Sequence, residues 1–572
     1  MSADESAGPR GWRAFFPPAQ WLAQYRASWL RQDMVAGITL AAYAIPVALA
    51  YATLAGLPPQ YGIYCYLVAG PAYALFGSSR QLAIGPTSAI SMLVGATLLG
   101  MAEGDPQRWA AIAALTALLV ATISVIAWLL RLSSLVNFIS ETILLGFKAG
   151  AALTIALTQL PKLFGVPGGG ESFFERLWIL GSQLGQTNVA VLLFGLVAIA
   201  LLLAGEKLLP GRPIALLVVA ASIVALSVTP LAGLGFKLVG ILPAGLPHFT
   251  LPSLRPRDAD GVIPLALACV LLAYIEGVSA ARALAQRHGY AIDARQELLA
   301  LGAANVAAAL GQGYPVAGGL SQSTVNDKAG AKTPLALVFA SITIALCLVF
   351  LTGLLANLPN VVLAAIVLVA VKGLFNIPEL RRVWALNRAE FGVAMAAFAG
   401  VLLLGILKGV LLAAIVSMLL LIARAARPHV ARLGRVPGTN RYSDFERHAD
   451  NEDVPGVLVL RAESGLFYFN VAHVHESFRR FVAAAGNGVR LVVWDLSSSA
   501  YVDIAGARML GDVQRELAER GAKLRIVDAR GRVRDLLRAE LGPAVGEVTR
   551  RASIDDAIRE EGFGASAASR AA

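Results

Sequence analysis

From Met34 to Ile422 the chain is a succession of long apolar blocks, separated by short breaks marked by Gly, Pro or charged residues. Beyond Ile422 the apolar runs shorten and polar residues return. A helix needs ~20 residues to cross the ~30 Å apolar core of a bilayer. On that measure the blocks divide into fourteen segments: 34–55, 61–78, 86–101, 109–130, 136–160, 188–204, 213–232, 262–281, 296–312, 320–331, 335–356, 360–376, 389–406 and 409–424. The third and the tenth are too short to span alone.

After the last block, residues 426–455 read as a polar, basic linker carrying Arg427, Pro428, Arg432, Arg435, Pro437 and Gly438. Val457–Leu460, Leu466–Phe469, Val489–Asp495 and Ala522–Val527 have the short apolar character of strands. Val474–Ala484, Ala505–Arg520 and Arg530–Leu541 have helical spacing. Strands alternating with helices imply a small α/β domain. The predicted domains are therefore an interfacial segment 1–33, a membrane domain 34–425, the linker 426–455, an α/β domain 456–562 and a disordered tail 563–572.

Composition agrees with that division. Of 572 residues 57% are apolar and 15% charged, with a mean hydropathy of +0.66, whereas soluble domains carry roughly 25% charged residues. The first stretch interleaves Trp12, Phe15, Phe16, Trp21, Tyr25 and Trp29 with Arg10, Arg13, Arg26 and Arg31. It suits a segment lying at the membrane surface, and it lacks the isolated apolar core of a cleavable signal. The net charge of +11 could suggest nucleic acid, but its placement speaks for a membrane. With the N-terminus inside, Arg80, Arg131, Lys207, Arg212, Arg282, Arg287, Arg295, Lys328, Lys332, Arg381, Arg382, Arg388 and Arg424 all fall inside. Glu103, Asp105, Glu171, Glu175, Asp258 and Asp260 fall outside, with Arg255 and Arg257 as exceptions. This positive-inside bias places both termini in the cytoplasm and predicts no nucleic-acid partner. Cys65, Cys269 and Cys347 sit singly in apolar runs, and His473 and His475 would point to different helix faces, so no metal or cofactor is expected.

The two short segments carry the candidate chemistry. The third opens Gly85-Pro86-Thr87-Ser88, and the tenth opens after Gly318-Gly319 with Leu320-Ser321-Gln322-Ser323. Gly, Pro and hydroxyl residues are helix-start signals, and short Gly/Pro-interrupted segments in corresponding places of two halves point to a transporter binding site. A helix N-terminus offers free N–H donors and about half a positive charge. Two of them facing each other at the midplane make an anion site, with the hydroxyls of Thr87, Ser88, Ser321 and Ser323 as further ligands. Ionisable residues inside spans are costly and tend to be functional. Glu276 is the deepest carboxylate of the second half, and a carboxylate in a low-dielectric cavity keeps a proton more readily. Lys148 and Glu141, seven apart on the fifth span, would pair or snorkel.

The chain resembles the SulP family of sulfate permeases and anion exchangers, to which prestin and pendrin also belong. The likeness covers nearly the whole length. It rests on Asp33-Met34-Val35-Ala36-Gly37-Ile38-Thr39, Ile45-Pro46 through Ala50-Tyr51-Ala52, Leu54-Ala55-Gly56-Leu57-Pro58-Pro59 and Gly77 through Gly85-Pro86. Ile292-Asp293 through Leu298 and Gly313-Tyr314-Pro315 through Val325-Asn326 complete it. The resemblance implies an α-helical polytopic membrane protein of about fourteen segments in two inverted seven-helix repeats, with a core domain moving against a gate domain. It further implies a homodimer and a cytoplasmic STAS domain with a possible protein partner. By resemblance Tyr51, Thr87, Ser88, Ser321 and Gln322 line the anion site, and Glu276 is the coupling acid.

Three positions depart from the family pattern. Val47 stands where many members have Gln, Gln322 where many have Arg, and Thr87 where related animal proteins have an aromatic. In the tail Ala505 occupies the place of the Ser that bacterial anti-sigma antagonists phosphorylate, which excludes that switch. A nucleotide site in this domain rests on analogy alone.

The leading expectation is secondary active transport of an inorganic oxyanion, sulfate first, across a bacterial cytoplasmic membrane. A proton carried by Glu276 would couple it by alternating access. Na⁺-coupled bicarbonate transport and H⁺-coupled dicarboxylate transport are the alternatives within transport, and a membrane-tethered sensor acting through the STAS domain is the alternative outside it. No nucleophile–base pair or metal-ligand cluster suggests an enzyme.

Overall fold

A computed structural model describes residues 17–98, 101, 105–133, 141–170, 172–209, 213–229, 233–252, 256–542 and 553–563. Arg10, Trp12, Arg13, Phe15 and Phe16 of the interfacial segment lie outside these residues, as do Glu103, Glu171, Arg212, Arg255 and most of the expected tail. The chain forms two compact units, residues up to Ser417 and residues from Met418 onward.

The first unit is helical. A short α1 (Pro18–Trp21) precedes α2 (Ala27–Leu54), α3 (Gln60–Phe76), α4 (Ser88–Leu98), α5 (Pro106–Leu129), α6 (Glu141–Phe164) and α7 (Phe173–Gln183). Then follow α8 (Val189–Leu208), α9 (Ile214–Val228), α10 (Pro256–His288), α11 (Ala294–Leu310) and α12 (Leu320–Lys328). The series continues with α13 (Leu335–Phe350), α14 (Asn360–Lys372), α15 (Ile377–Leu386), α16 (Arg388–Leu404) and α17 (Ile406–Ala426). Each segment expected from the apolar blocks coincides with one of these helices, and α1, α7 and α15 are additional. Among the described residues six helices are long and apolar enough to cross a membrane by themselves. The helices α4 and α12 are short, with 11 and 9 residues.

Small residues let these helices approach closely where side chains would keep them apart. A β-carbon on Gly37 of α2 would come within 2.5 Å of the Ala336 carbonyl at the start of α13. There Asp33, fully buried, accepts the backbone N–H groups of Lys332 and Thr333 at 2.7 and 3.1 Å and the Thr333 hydroxyl at 2.6 Å. With the Tyr25 hydroxyl as a fourth donor at 3.3 Å, the buried carboxylate is satisfied, and it fixes the turn between α12 and α13 onto α2.

Two-residue strands interrupt the helices. β1 (Ile84–Gly85) pairs antiparallel with β2 (Ala317–Gly318), in the register Ile84↔Gly318 and Gly85↔Ala317.

The second unit is built on a sheet of order β4-β3-β5-β6-β7, comprising β3 (Val430–Arg435), β4 (Tyr442–Asp444), β5 (Val457–Ala462), β6 (Leu491–Asp495) and β7 (Lys523–Val527). Strands β5, β6 and β7 are parallel, and β3 is antiparallel to both its neighbours. Helices α18 (Val471–Ala485), α19 (Ile504–Glu519) and α20 (Gly531–Leu541) accompany it. Their residues Phe478, Leu510 and Leu537 share one buried cluster with Leu460 and Trp494 of the sheet. Val459 and Val493, on the opposite side of the same strands, pack instead with Ala557 and Ile558 of α21 (Ile554–Glu560). The period-two alternation of strand side chains produces both layers.

Two expectations are corrected here. The stretch read as a linker holds β3 and β4. Its apolar positions Val430, Ala431 and Leu433 are buried in the sheet core, beneath the arginines that made the sequence read as polar. Leu466–Phe469 is a turn rather than a strand, with one isolated bridge from Leu466 to Val502. Side chains capture its backbone donors: Asn470 Oδ1 accepts the Phe467 N–H at 2.9 Å and Asp503 Oδ2 that of Tyr468 at 2.7 Å.

Candidate anion site

The β1–β2 pair brings the two short helices together. Ser88 begins α4 three residues after Gly85, and Leu320 begins α12 two residues after Gly318. Antiparallel pairing therefore sets the two helix starts beside one another, related as the inverted halves of the sequence would require. Only glycine fits the crossing: a β-carbon on Gly85 would enter the Tyr66 ring at 2.2 Å, and one on Gly318 would lie 3.0 Å from Gly277 Cα of α10. The second contact places α10, and with it Glu276, against the crossing.

The predicted site residues divide into two groups. Gln322 and Ser323 are buried, and their polar atoms hold the crossing itself. The Gln322 side-chain amide donates to the carbonyls of Ala83 and Ala317 at 3.0 and 3.2 Å, and its oxygen accepts the Tyr66 hydroxyl. Ser323 Oγ donates to the Gly319 carbonyl at 2.7 Å and accepts the Ala83 N–H at 2.9 Å. Gln322 thus occupies the place of a family arginine as a scaffold residue whose hydrogen bonds lie within the protein.

Thr87, Ser88, Tyr51 and Ser321 form the second group. Thr87, Ser88 and Tyr51 are 7–8% exposed, and the Tyr51 hydroxyl interacts with the Ser88 side chain. The Thr87 hydroxyl oxygen is buried without a hydrogen-bond partner among the described residues. Such a group normally costs 1–3 kcal/mol, by rough estimate, unless a ligand or water meets it. Ser321 is exposed and borders a cavity of about 560 Å³. That cavity also meets Val47 on α2, Glu206 on α8, Lys328 on α12 and Lys372 on α14.

Glu276 does not stand alone. Lys148 Nζ of α6 lies 4.0 Å from its Oε1, with side-chain exposures of 30% and 11%. The sequence reading had Lys148 pair with Glu141 or snorkel; the Glu141 side chain lies outside those described. The partner the structure gives Lys148 comes from another helix, α10, which delivers Glu276 to it directly. Sequence reasoning also passed over Tyr66, Asn305 and Tyr314. Asn305 bonds both the N–H and the C=O of Val316, at 3.0 and 3.2 Å, and the Tyr314 hydroxyl meets Ser91 Oγ at 3.0 Å. For Tyr66 and Asn305 the signal was a polar atom in the middle of an apolar helix; Tyr314 lies in the segment between α11 and β2.

Comparison with known proteins shows the family and the fold. A sulfate permease family model matches residues 30–397 and a STAS domain model residues 448–542. The chain belongs to the sulfate permease family. A probable sulfate transporter of Mycobacterium tuberculosis is 35% identical over 555 residues, covering 96% of each chain. Sulfate transporter 4.1, chloroplastic, of Arabidopsis thaliana is 32% identical, covering 89% of this chain and 77% of the relative. Among solved structures, this permease-family chain superposes on murine Slc26a9 with a TM-score of 0.88 at 20% identity, covering 98% and 97% of the two chains. It superposes on the transmembrane domain of the cyanobacterial transporter BicA with a TM-score of 0.61 at 21% identity, covering 68% and 98%. The permease-family fold thus joins a helical membrane unit to a C-terminal STAS domain.

Proposed function

We propose that the chain is a secondary active transporter of an inorganic oxyanion, sulfate first, coupled to protons and working by alternating access. The observation that carries this reading is the unpartnered, buried Thr87 hydroxyl at the start of α4, next to a helix start that the β1–β2 pair places opposite it. Helix N–H groups and hydroxyls complement an anion without a fixed charge in the first contact layer. The Ser321 cavity, with Lys328 and Lys372 on its wall, is the route by which the ion reaches them. The printed names of the mycobacterial and plant relatives, sulfate transporters, support sulfate.

The Glu276–Lys148 pair supplies the coupling. With Glu276 ionised, the Lys148 ammonium is neutralised by it. A proton on Glu276 leaves that ammonium uncompensated inside the membrane, where an anion restores balance. Proton and anion then favour each other's binding, as linkage requires. The same pair argues for a proton over Na⁺, because Lys148 already places a positive charge beside the carboxylate. Cytoplasmic termini, a homodimer, an inner-membrane location and a protein partner for the STAS domain belong to the same proposal.

The test is uptake of labelled sulfate, bicarbonate and succinate into proteoliposomes under separately imposed H⁺ and Na⁺ gradients. Sulfate uptake driven by the H⁺ gradient is expected. Uptake of bicarbonate driven by Na⁺ alone would replace this reading with Na⁺-coupled bicarbonate transport, and absence of flux for all three would return the sensor.

A further inference from the structure

A second cavity, of about 210 Å³, lies at the other end of the two helices that wall the Ser321 cavity. The larger space takes Leu202 and Glu206 of α8 and Val369 and Lys372 of α14. The smaller takes Val191 of α8 and Asn360 and Val361 of α14. The 13 residues of α14 separate the two ends by ~20 Å of helical rise.

Two lysines complete the smaller cavity: Lys162 in the last turn of α6, and Lys237 on the loop that reaches the start of α14. That loop is pinned in place. The Lys237 carbonyl accepts the Asn360 N–H at 2.8 Å, the Leu238 carbonyl accepts the Asn360 side-chain amide at 3.4 Å, and the Val239 N–H donates to the Leu358 carbonyl at 2.8 Å. Among the described residues no carboxylate lines the cavity, and neither lysine has an ion-pair partner. Other lysines of the membrane unit are treated differently. Lys148 faces Glu276, and the lysines of the large cavity share it with Glu206.

Lys162 is half-buried and Lys237 is exposed at the edge of this space; two ammonium groups beside one confined space repel, and Lys162 has lost part of its hydration. A dianion removes both costs at once, and the positive end of α14 adds to its stabilisation. Water takes ~30 Å³ per molecule, so the space admits a tetrahedral oxyanion with several of its waters. We infer that this cavity is a second anion site, separate from the one between α4 and α12, in which Lys162 and Lys237 hold a doubly charged oxyanion group. The group is either a free ion such as sulfate or the phosphate monoester of a lipid headgroup.

Equilibrium dialysis of the purified full-length protein against labelled sulfate, with mass spectrometry of co-purified lipid, tests it. Wild type is expected to show two classes of sulfate site. The K162Q/K237Q double variant loses one class, with affinity down at least tenfold, and the charge-retaining K162R/K237R keeps it. Substituting Ser321 by Phe removes only the other class. If K162Q/K237Q instead loses a retained phosphatidic acid, the headgroup is the source. If it binds sulfate and lipid as wild type does, the inference is overturned. Should the double variant elute as an aggregate, K237Q, on the loop, is measured in the same way with a loss of the same sign. Failure of the Ser321 variant alone would count against the transport-site reading and leave this one standing.

Discussion

Lys148 of α6 and Glu276 of α10 face each other at 4.0 Å across the interior of the membrane unit. Removing one partner of a partly buried pair leaves the other charge uncompensated, whereas replacing both does not. Glu276→Gln mimics the protonated acid permanently. The variant is expected to lose pH-gradient-driven sulfate uptake by about tenfold or more while keeping sulfate–sulfate exchange across equal pH. Gradient-driven uptake that matches wild type would remove Glu276 from the coupling step.

Thr87 offers a cleaner probe of the anion. Its hydroxyl has no partner among the described residues, so Thr87→Val deletes a ligand contact while keeping the shape. A hydrogen bond to a charged group is worth about 1.5–3 kcal/mol, hence sulfate affinity should fall by about tenfold or more with thermal stability at or above that of wild type. Unchanged affinity in equilibrium binding would place the ion elsewhere.

Ser323 should behave in the opposite way. Its hydroxyl bonds Gly319 and Ala83 within the crossing, and Ser323→Ala leaves the buried Ala83 N–H unpaired at a cost of about 1–3 kcal/mol. The expected signature is a lower melting temperature that accounts for whatever binding is lost. A variant with full stability but abolished binding would make Ser323 a direct ligand after all.

The contrast between Thr87 and Ser323 shows what the sequence could and could not reveal. Apolar blocks and Gly/Pro starts were enough to find α4 and α12, because helix-start chemistry is local. The same residues gave no sign of which hydroxyls would be turned inward to the scaffold. That depends on Ala83 and Tyr66, which lie more than two hundred positions away from Gln322 and Ser323. The Lys148–Glu276 pair was missed for the same reason: a partner on the same helix is visible in sequence and one on α10 is not. In the STAS domain β3 was hidden because Arg432 and Arg435 mask an alternation that only the finished sheet displays.

Close packing of α6 against α16 gives a prediction about the membrane unit as a whole. A β-carbon on Gly146 would stand 1.9 Å from the Ala394 carbonyl oxygen, and a backbone atom cannot move aside as a flexible side chain can. Gly146→Ala forces the helices apart at a cost of about 1–3 kcal/mol. A melting temperature several degrees below wild type in detergent is the expected result, and an unshifted one would show that the two helices can separate freely there.

The STAS domain carries a pH-dependent tie that can be read separately. Arg479 of α18 grips Glu516 of α19 through two contacts, Nε to Oε2 at 3.1 Å and Nη2 to Oε1 at 2.5 Å. This hydrogen-bonded guanidinium, with His475 nearby, holds the Glu516 carboxyl below the usual glutamate range. A carboxyl depressed in the folded state contributes stability that is present above its unfolded value, about 4.3, and that disappears as pH falls through the folded one. Glu516→Gln should therefore melt lower than wild type at pH 7, by a small margin because the pair is partly exposed to solvent. The gap between the two proteins should close as the pH approaches 4 and below. A gap that stays constant over that range, measured by thermal unfolding of the purified full-length chain, would show that Glu516 is held by its packing rather than by the charge of Arg479.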